Sequence, residues 1–314
     1  MKRVFISTTT FAQDDPCILD VLYKAGAMVT MNPYHRRLNE AEITDILVKG
    51  RYDGLLAGLE PLTKDVLAKA KDLKVISRVG VGLDNIDQDS ARELGIKVFN
   101  TPGVLTDAVA ELTLGLILAL LRKVAFLDRK MHAGQWDKKM GTLLKGKTLG
   151  LVGFGHIGER VAQLALAFGA KVVFCDVRKV KKSSAKQVTL ARLVKSSDII
   201  SLHSSGEDCL IGEKEIRASR PGVIIVNTAR GRLVDEKALL KGLISGKVAG
   251  AALDVFEQEP YDGKFCKNDN VILTPHIGSY AKESRLIMEK MAIENLIKGF
   301  KEKCVVNNVG RARC

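Results

Sequence analysis

Aromatic residues are scarce in this 314-residue sequence, with one Trp, five Tyr and ten Phe. None is interleaved with the densest basic run, Arg178, Lys179, Lys181, Lys182 and Lys186, which reads as a solvated loop and not as a nucleic-acid surface. The six cysteines (Cys17, Cys175, Cys209, Cys266, Cys304, Cys314) form no CxxC pair and no zinc-ligand spacing with histidine. That excludes a disulfide framework and points to reduced thiols with no metal. No apolar run approaches the roughly 20 residues of a membrane span, because the longest, Leu112 to Leu121, runs straight into Arg122 and Lys123. Met1 to Ile6 reads as a first strand, too short in its apolar part for a signal peptide, so the expected compartment is the cytoplasm. Internal repeats and low-complexity segments are missing as well.

What is present is an ordinary globular composition, 46% hydrophobic and 27% charged, with a formal net charge of +13. Such a positive field suits an enzyme handling anionic ligands. In the first hundred residues short apolar runs at Val4–Ile6, Met28–Thr30, Leu55–Ala57, Val75–Ser77 and Lys97–Phe99 alternate with amphipathic segments. Asn39 with Glu42 predicts a capped helix that buries Ile43, Ile46 and Leu47. Alternation of this kind predicts a parallel sheet with helical crossovers. Asn100-Thr101-Pro102-Gly103 is a turn cluster and a candidate linker. After it, Thr106 to Leu121 is apolar nearly all round and should be buried between domains or subunits; Lys123 to Trp136 continues as a second helix. The strand–helix alternation resumes at 147 and closes with a long helix from Ala281 to Phe300.

The most informative stretch runs from Gly146 to Asp176. An apolar strand leads into Gly153-Phe154-Gly155-His156-Ile157-Gly158, then a helical pattern, then Val172 to Cys175 ending in Asp176. Gly153 permits the tight turn, Gly155 lets the backbone approach a pyrophosphate and Gly158 lets the helix pack close to the sheet. The helix N-terminus faces the phosphates, with His156 and Ile157 lining the cofactor. Asp176 sits where an acid accepts hydrogen bonds from the adenosine ribose, which favours NAD over NADP. Arg178 keeps some accommodation of a 2′-phosphate open.

Ligands of open α/β sheets lie beyond the carboxyl ends of the strands. Three segments there carry chemistry: Asn227 to Arg232, Asp254 to Pro260 and Thr274 to Ser279. They place Arg230, Glu259 and His276 at one sheet edge. Arg230 offers a bidentate fork for a carboxylate and carbonyl, and His276 is suited to general acid/base work near neutral pH. Glu259 would hold the imidazole and favour its charged form.

These segments, with Gly80 to Asp87 and Val109-Ala110-Glu111, resemble the D-isomer-specific 2-hydroxyacid dehydrogenase family over nearly the whole chain. The resemblance implies two Rossmann- or flavodoxin-like α/β domains, a substrate domain of residues 1–100 and 282–314 and an NAD domain of residues 101–281 inserted within it. It further implies a site in the cleft between them and a homodimer formed through the NAD domains. By resemblance to the family, backbone N–H groups of Val79-Gly80-Val81-Gly82 bind the substrate carboxylate, a close approach that glycines there permit. By the same resemblance the Asp254 carboxylate and the Thr228 carbonyl fix the nicotinamide amide, while Thr106 and Gly278 lie against the cofactor.

Within the family, Gly58 to Leu62 and Arg78 to Gly82 look most like short phosphoglycerate dehydrogenases, which implies serine biosynthesis. A phosphorylated substrate needs a further cation, for which Arg36, Arg37, Arg78 and Lys139 are the candidates. The alternatives are a reductase of glyoxylate, hydroxypyruvate or another small 2-keto acid, and, from another class, an NAD-sensing corepressor-like binding protein. His203-Ser204-Ser205 departs from the family pattern in lacking the proline that commonly follows this histidine. The sequence stops soon after the closing helix, so no regulatory domain is expected.

Overall fold

A computed structural model describes residues 1–180, 183–206 and 208–301. Of the residues singled out above, Lys181, Lys182, Cys304, Cys314 and the end of the 282–314 segment lie outside the described residues. The chain divides into two compact units, one formed by Met1–Leu105 with the segment that begins at Tyr280, the other by Thr106–Ser279.

In the first unit the strands are β1 (Lys2–Ile6), β2 (Ala27–Met31), β3 (Gly54–Ala57), β4 (Val75–Arg78) and β5 (Lys97–Phe99). They pair in parallel in the order β2-β1-β3-β4-β5. Every residue of β3 and β4 is buried, as expected of parallel strands covered on both faces. The helix Glu40–Gly50 starts with a reciprocal capping box, in which Asn39 accepts from the Glu42 N–H and Glu42 accepts from the Asn39 N–H. Its apolar face brings Ile43 and Leu47 onto one side of the sheet. The other side is closed from far along the chain: Met288, Ala292, Ile293 and Leu296 of the helix Lys282–Lys301 pack on Val4, Ile6, Leu56 and Val75. This return of the C-terminal helix is what makes the second unit an insertion.

The second unit holds β6 (Thr148–Val152), β7 (Lys171–Cys175), β8 (Lys186–Gln187), β9 (Ile199–Leu202), β10 (Val223–Asn227), β11 (Val248–Leu253) and β12 (Val271–Leu273). Their order is β12-β11-β10-β9-β6-β7-β8, again parallel. The order reverses at β6, which places the glycine turn at the switch point where such sheets bind ligands. The helix Thr106–Leu121 packs on the helix His156–Ala167 and belongs to this unit's own core, with Ala110, Ile117 and Leu121 against Leu149, Val161 and Ala165. The second helix is shorter than its sequence pattern, Val124–His132. Among the described residues, no helix is long and apolar enough to cross a membrane.

Candidate active site

The glycine turn has the geometry its residues dictate. Gly153 leaves β6 at φ +94°, and a side chain on it would meet the His203 carbonyl group at 2.6 Å. Gly158 is buried against the Gly153 carbonyl oxygen, so a Cβ there would push the helix off the turn. Gly155 is the N-cap of the helix His156–Ala167 and supplies no side-chain cap, leaving first-turn N–H groups for an anion. His156 is exposed and Ile157 half-buried at this opening. Asp176, just past β7, accepts from the Phe154 N–H at 2.8 Å and from the Arg178 N–H at 2.8 Å. Burial works against its ionisation, but these N–H donors and the Arg178 guanidinium hold the carboxyl below its usual range. Asp176 therefore carries a charge at the end of β7 and joins its acid directly to the turn. Asp107, next to Thr106, accepts from Arg160 of the turn's helix at 2.7 Å, which puts Thr106 at the same end of the unit. The uncapped turn and the charged acid fit a dinucleotide's pyrophosphate and ribose.

The catalytic candidates come together along a chain of contacts. Glu259 uses one carboxylate oxygen to accept from the Phe256 N–H (3.1 Å) and the other to bind His276 Nδ1 (2.9 Å). A carboxylate only accepts, so Nδ1 carries the proton and Nε2 is left to exchange one. His276 itself adopts φ +55°, a left-handed conformation that costs a non-glycine residue energy. What holds it there is Asp254, which accepts from Thr274 Oγ1 (2.6 Å), the Ile277 N–H (2.8 Å) and the Gly278 N–H (2.8 Å). Residues on both sides of the histidine are thus tied to one buried acid. Burial pushes the Asp254 carboxyl up, opposed by those three donors.

Arg230 follows β10. Asn227 Nδ2 donates to its carbonyl oxygen (2.8 Å), and its Nη1 donates to the Ala229 carbonyl (2.8 Å). The next residue, Gly231, lies so close to the Phe256–Glu257 backbone that a Cβ would collide with it. The arginine loop and the Glu259 loop are thereby held against each other. Thr228 is buried and shares a hydrogen bond of 2.9 Å with Thr113. Since the Thr113 hydroxyl already donates to the Val109 carbonyl, Thr228 is the donor of that pair. Asn227 and Thr274 open two of the strand-end segments read from the sequence but have no role assigned there, and Thr113 is not singled out; its only signal is a polar residue on a buried helix face.

In the first unit the four residues Val79 to Gly82 divide. The Val79 N–H donates to the Ala57 carbonyl (2.9 Å), and the Gly80 N–H is taken by Thr101 Oγ1 and the Arg78 carbonyl (both 3.0 Å). Those two are corrected as carboxylate donors, because strand-end pairing has already used them. Val81 and Gly82 keep their N–H groups unengaged among the described residues. Among the described residues no cluster of His, Cys, Asp or Glu is arranged to hold a metal ion.

Comparison with known proteins bears on the family and the fold. The model of the D-isomer specific 2-hydroxyacid dehydrogenase, NAD binding domain, matches residues 114–278. The hydroxypyruvate reductase of Thermotoga maritima is 46% identical, over 77% of this chain and 81% of that protein. A glyoxylate reductase of Aeropyrum pernix is 40% identical over 98% of this chain and 96% of its own length. The D-3-phosphoglycerate dehydrogenase of Methanocaldococcus jannaschii is also 40% identical, but the match takes in 79% of this chain and 49% of that protein. Among solved structures, the TT0316 protein of Thermus thermophilus superposes with a TM-score of 0.89 at 36% identity, covering 97% of this chain and 99% of the other.

Proposed function

Because the chain belongs to the D-isomer specific 2-hydroxyacid dehydrogenase family, NAD-binding oxidoreductases that act on the CH–OH group of small 2-hydroxy acids, we propose that it reduces an unphosphorylated 2-keto acid of the glyoxylate or hydroxypyruvate kind. The observation that carries the chemistry is the 2.9 Å pair between His276 Nδ1 and Glu259. In reduction, His276 Nε2 gives a proton to the keto oxygen while Glu259 stabilises the imidazolium. Arg230 holds the substrate's carboxylate and polarises its carbonyl. The N–H groups of Val81 and Gly82 receive the carboxylate. The nicotinamide, when bound, supplies the hydride. Asp176 and the uncapped turn of Gly155 would hold the dinucleotide, and Thr228 and Gly278 lie with Asp254 and Thr106 on the second unit that binds it.

The substrate reading rests on where the cations are committed. A phosphoglycerate substrate needs one more cation than a small keto acid does. Arg36 is engaged by both oxygens of Glu42, at 2.9 and 2.5 Å. Arg78 is buried, donating to the Val79 carbonyl. Two of the candidates for a phosphate are therefore used inside the first unit. Relatives named for glyoxylate or hydroxypyruvate reduction also match over more of their own length than the phosphoglycerate dehydrogenase does. The experiment is NADH oxidation with glyoxylate, hydroxypyruvate, pyruvate and phosphohydroxypyruvate side by side. The expected result is a kcat/KM at least tenfold higher for glyoxylate or hydroxypyruvate than for the phosphorylated acid. A preference for phosphohydroxypyruvate would return the reading to serine biosynthesis.

A further inference from the structure

Arg78 ends β4 with its side chain almost fully buried, which is costly for a guanidinium unless its charge and donors are used. Its Nη1 donates to the Val79 carbonyl, and the guanidinium lies on the face of Gly80. A Cβ on Gly80 would sit 2.7 Å from Nη1 and 2.9 Å from Cζ. Gly80 is at φ +149°, so both its conformation and the space beside it require glycine. The arginine fills the place a side chain would take.

The counter-charge is Glu60, which is 2% exposed. It accepts from Ser7 Oγ at 2.6 Å and from the Gly58 N–H at 3.1 Å, so residues following β1 and β3 hold the acid. Burial pushes its carboxyl up, opposed by Ser7, the backbone donors and the charge of Arg78. The rest of the segment is pinned by its carbonyls. Thr101 N–H donates to the Gly80 carbonyl (3.0 Å), and Asn100 Nδ2 donates to the Val81 carbonyl (2.8 Å). Asn85 Nδ2 donates to the Glu60 carbonyl (2.6 Å), which ties the far end of the loop to the acid's own backbone.

We propose that Arg78, lodged on Gly80 and balanced by Glu60, is a positioning residue for the substrate carboxylate. It holds the Val79 carbonyl inward and sets the backbone from which Val81 and Gly82 present their N–H groups. The proposal rests on the reading that those two groups seat the carboxylate. Lysine cannot replace the arginine, because its point charge can neither cover the face of Gly80 nor reproduce the planar fork.

The test measures KM and kcat for glyoxylate, inhibition by oxalate, NADH affinity by fluorescence and thermal midpoint for Arg78→Lys, Gly80→Ala, Glu60→Gln and Gly82→Pro. Arg78→Lys and Gly80→Ala should each raise the glyoxylate KM and the oxalate inhibition constant about tenfold or more. In both, kcat should stay within threefold and NADH affinity should not change. Glu60→Gln removes the charge that balances Arg78 while its amide oxygen still accepts from Ser7 and Gly58, so it should raise the glyoxylate KM in the same direction, threefold or more, with kcat and NADH affinity unchanged. A purely structural role would lower the thermal midpoint without this split between KM and kcat. Gly82→Pro deletes one N–H of the seat and checks the reading beneath the proposal. If it raises KM while folded Arg78→Lys and Gly80→Ala do not, the seat stands and the role of Arg78 is overturned. If folded Gly82→Pro leaves KM and oxalate inhibition unchanged, the seat itself fails, and the proposal with it. Should Arg78→Lys not fold, Arg78→Gln, which keeps a planar donor without the charge, takes its place, because Gly80→Ala also strains the backbone at φ +149°.

Discussion

Single residues in this protein do work that their type alone does not reveal. Asp176 has two tasks: it accepts from the Phe154 N–H, fixing the glycine turn to the end of β7, and it is the charged acid beside that turn. Replacing Asp176 by Ala should weaken NADH by about tenfold to a hundredfold, the ~1.5–3 kcal/mol of hydrogen bonds to a charged group. NADPH should lose less, because its 2′-phosphate is repelled by the carboxylate, and Arg178 would be released from its 3.3 Å contact with Asp176. Fluorescence titration with the two cofactors checks this, and an unchanged ratio of affinities would remove the ribose from the account.

At the scale of elements, the loops after β10, β11 and β12 function as one piece. Gly231 lets the first lie on the second, and Asp254 ties the second to the third through three hydrogen bonds around His276. Asp254→Ala should leave two loop N–H groups and the Thr274 hydroxyl without their acceptor and relax the left-handed histidine. The expected result is a kcat lowered by a hundredfold or more with a stability loss of about 1–3 kcal/mol, read from turnover and a denaturant curve. A variant that loses stability and keeps kcat would show that the histidine is held by something else. Much at this scale was legible from sequence: apolar runs bounded by turn residues marked the long strands, and Asn39 with Glu42 marked a helix start. The two-residue β8 was not, since nothing in Lys186–Gln187 alternates. Nor could the sequence tell that Val79 and Gly80 spend their N–H groups on Ala57 and Thr101, partners about twenty residues away brought in by strand pairing. Arg78 was a candidate cation for a phosphate for the same reason: only the fold brings it onto Gly80 and near Glu60.

Across the whole molecule, stability should depend on pH through His203, which burial lowers to about 4 while its Nε2 pairs with Ser201 Oγ at 2.9 Å. The unfolded chain takes up a proton there near pH 6.5 and the folded protein does not, so stability is fully present above about 6.5 and falls as pH drops towards 4. The difference is on the order of 3 kcal/mol. Glu60, Glu289 and Asp254, raised by burial, act in the opposite sense, so the measurement is a comparison of wild type with His203→Gln in denaturant at pH 7.5 and 4.5. The wild type should lose more stability than the variant between the two values; equal losses would mean that His203 is charged in the folded state. The central claim, that the second unit's His276–Glu259 pair moves the proton while its glycine turn holds NADH, is tested most directly by single-turnover oxidation of bound NADH on mixing with glyoxylate. Wild type, Glu259→Gln and His276→Ala should bind NADH alike. Wild type should oxidise it, Glu259→Gln should do so tenfold or more slowly, and His276→Ala a thousandfold or more slowly. Oxidation by His276→Ala at close to the wild-type rate would contradict the account.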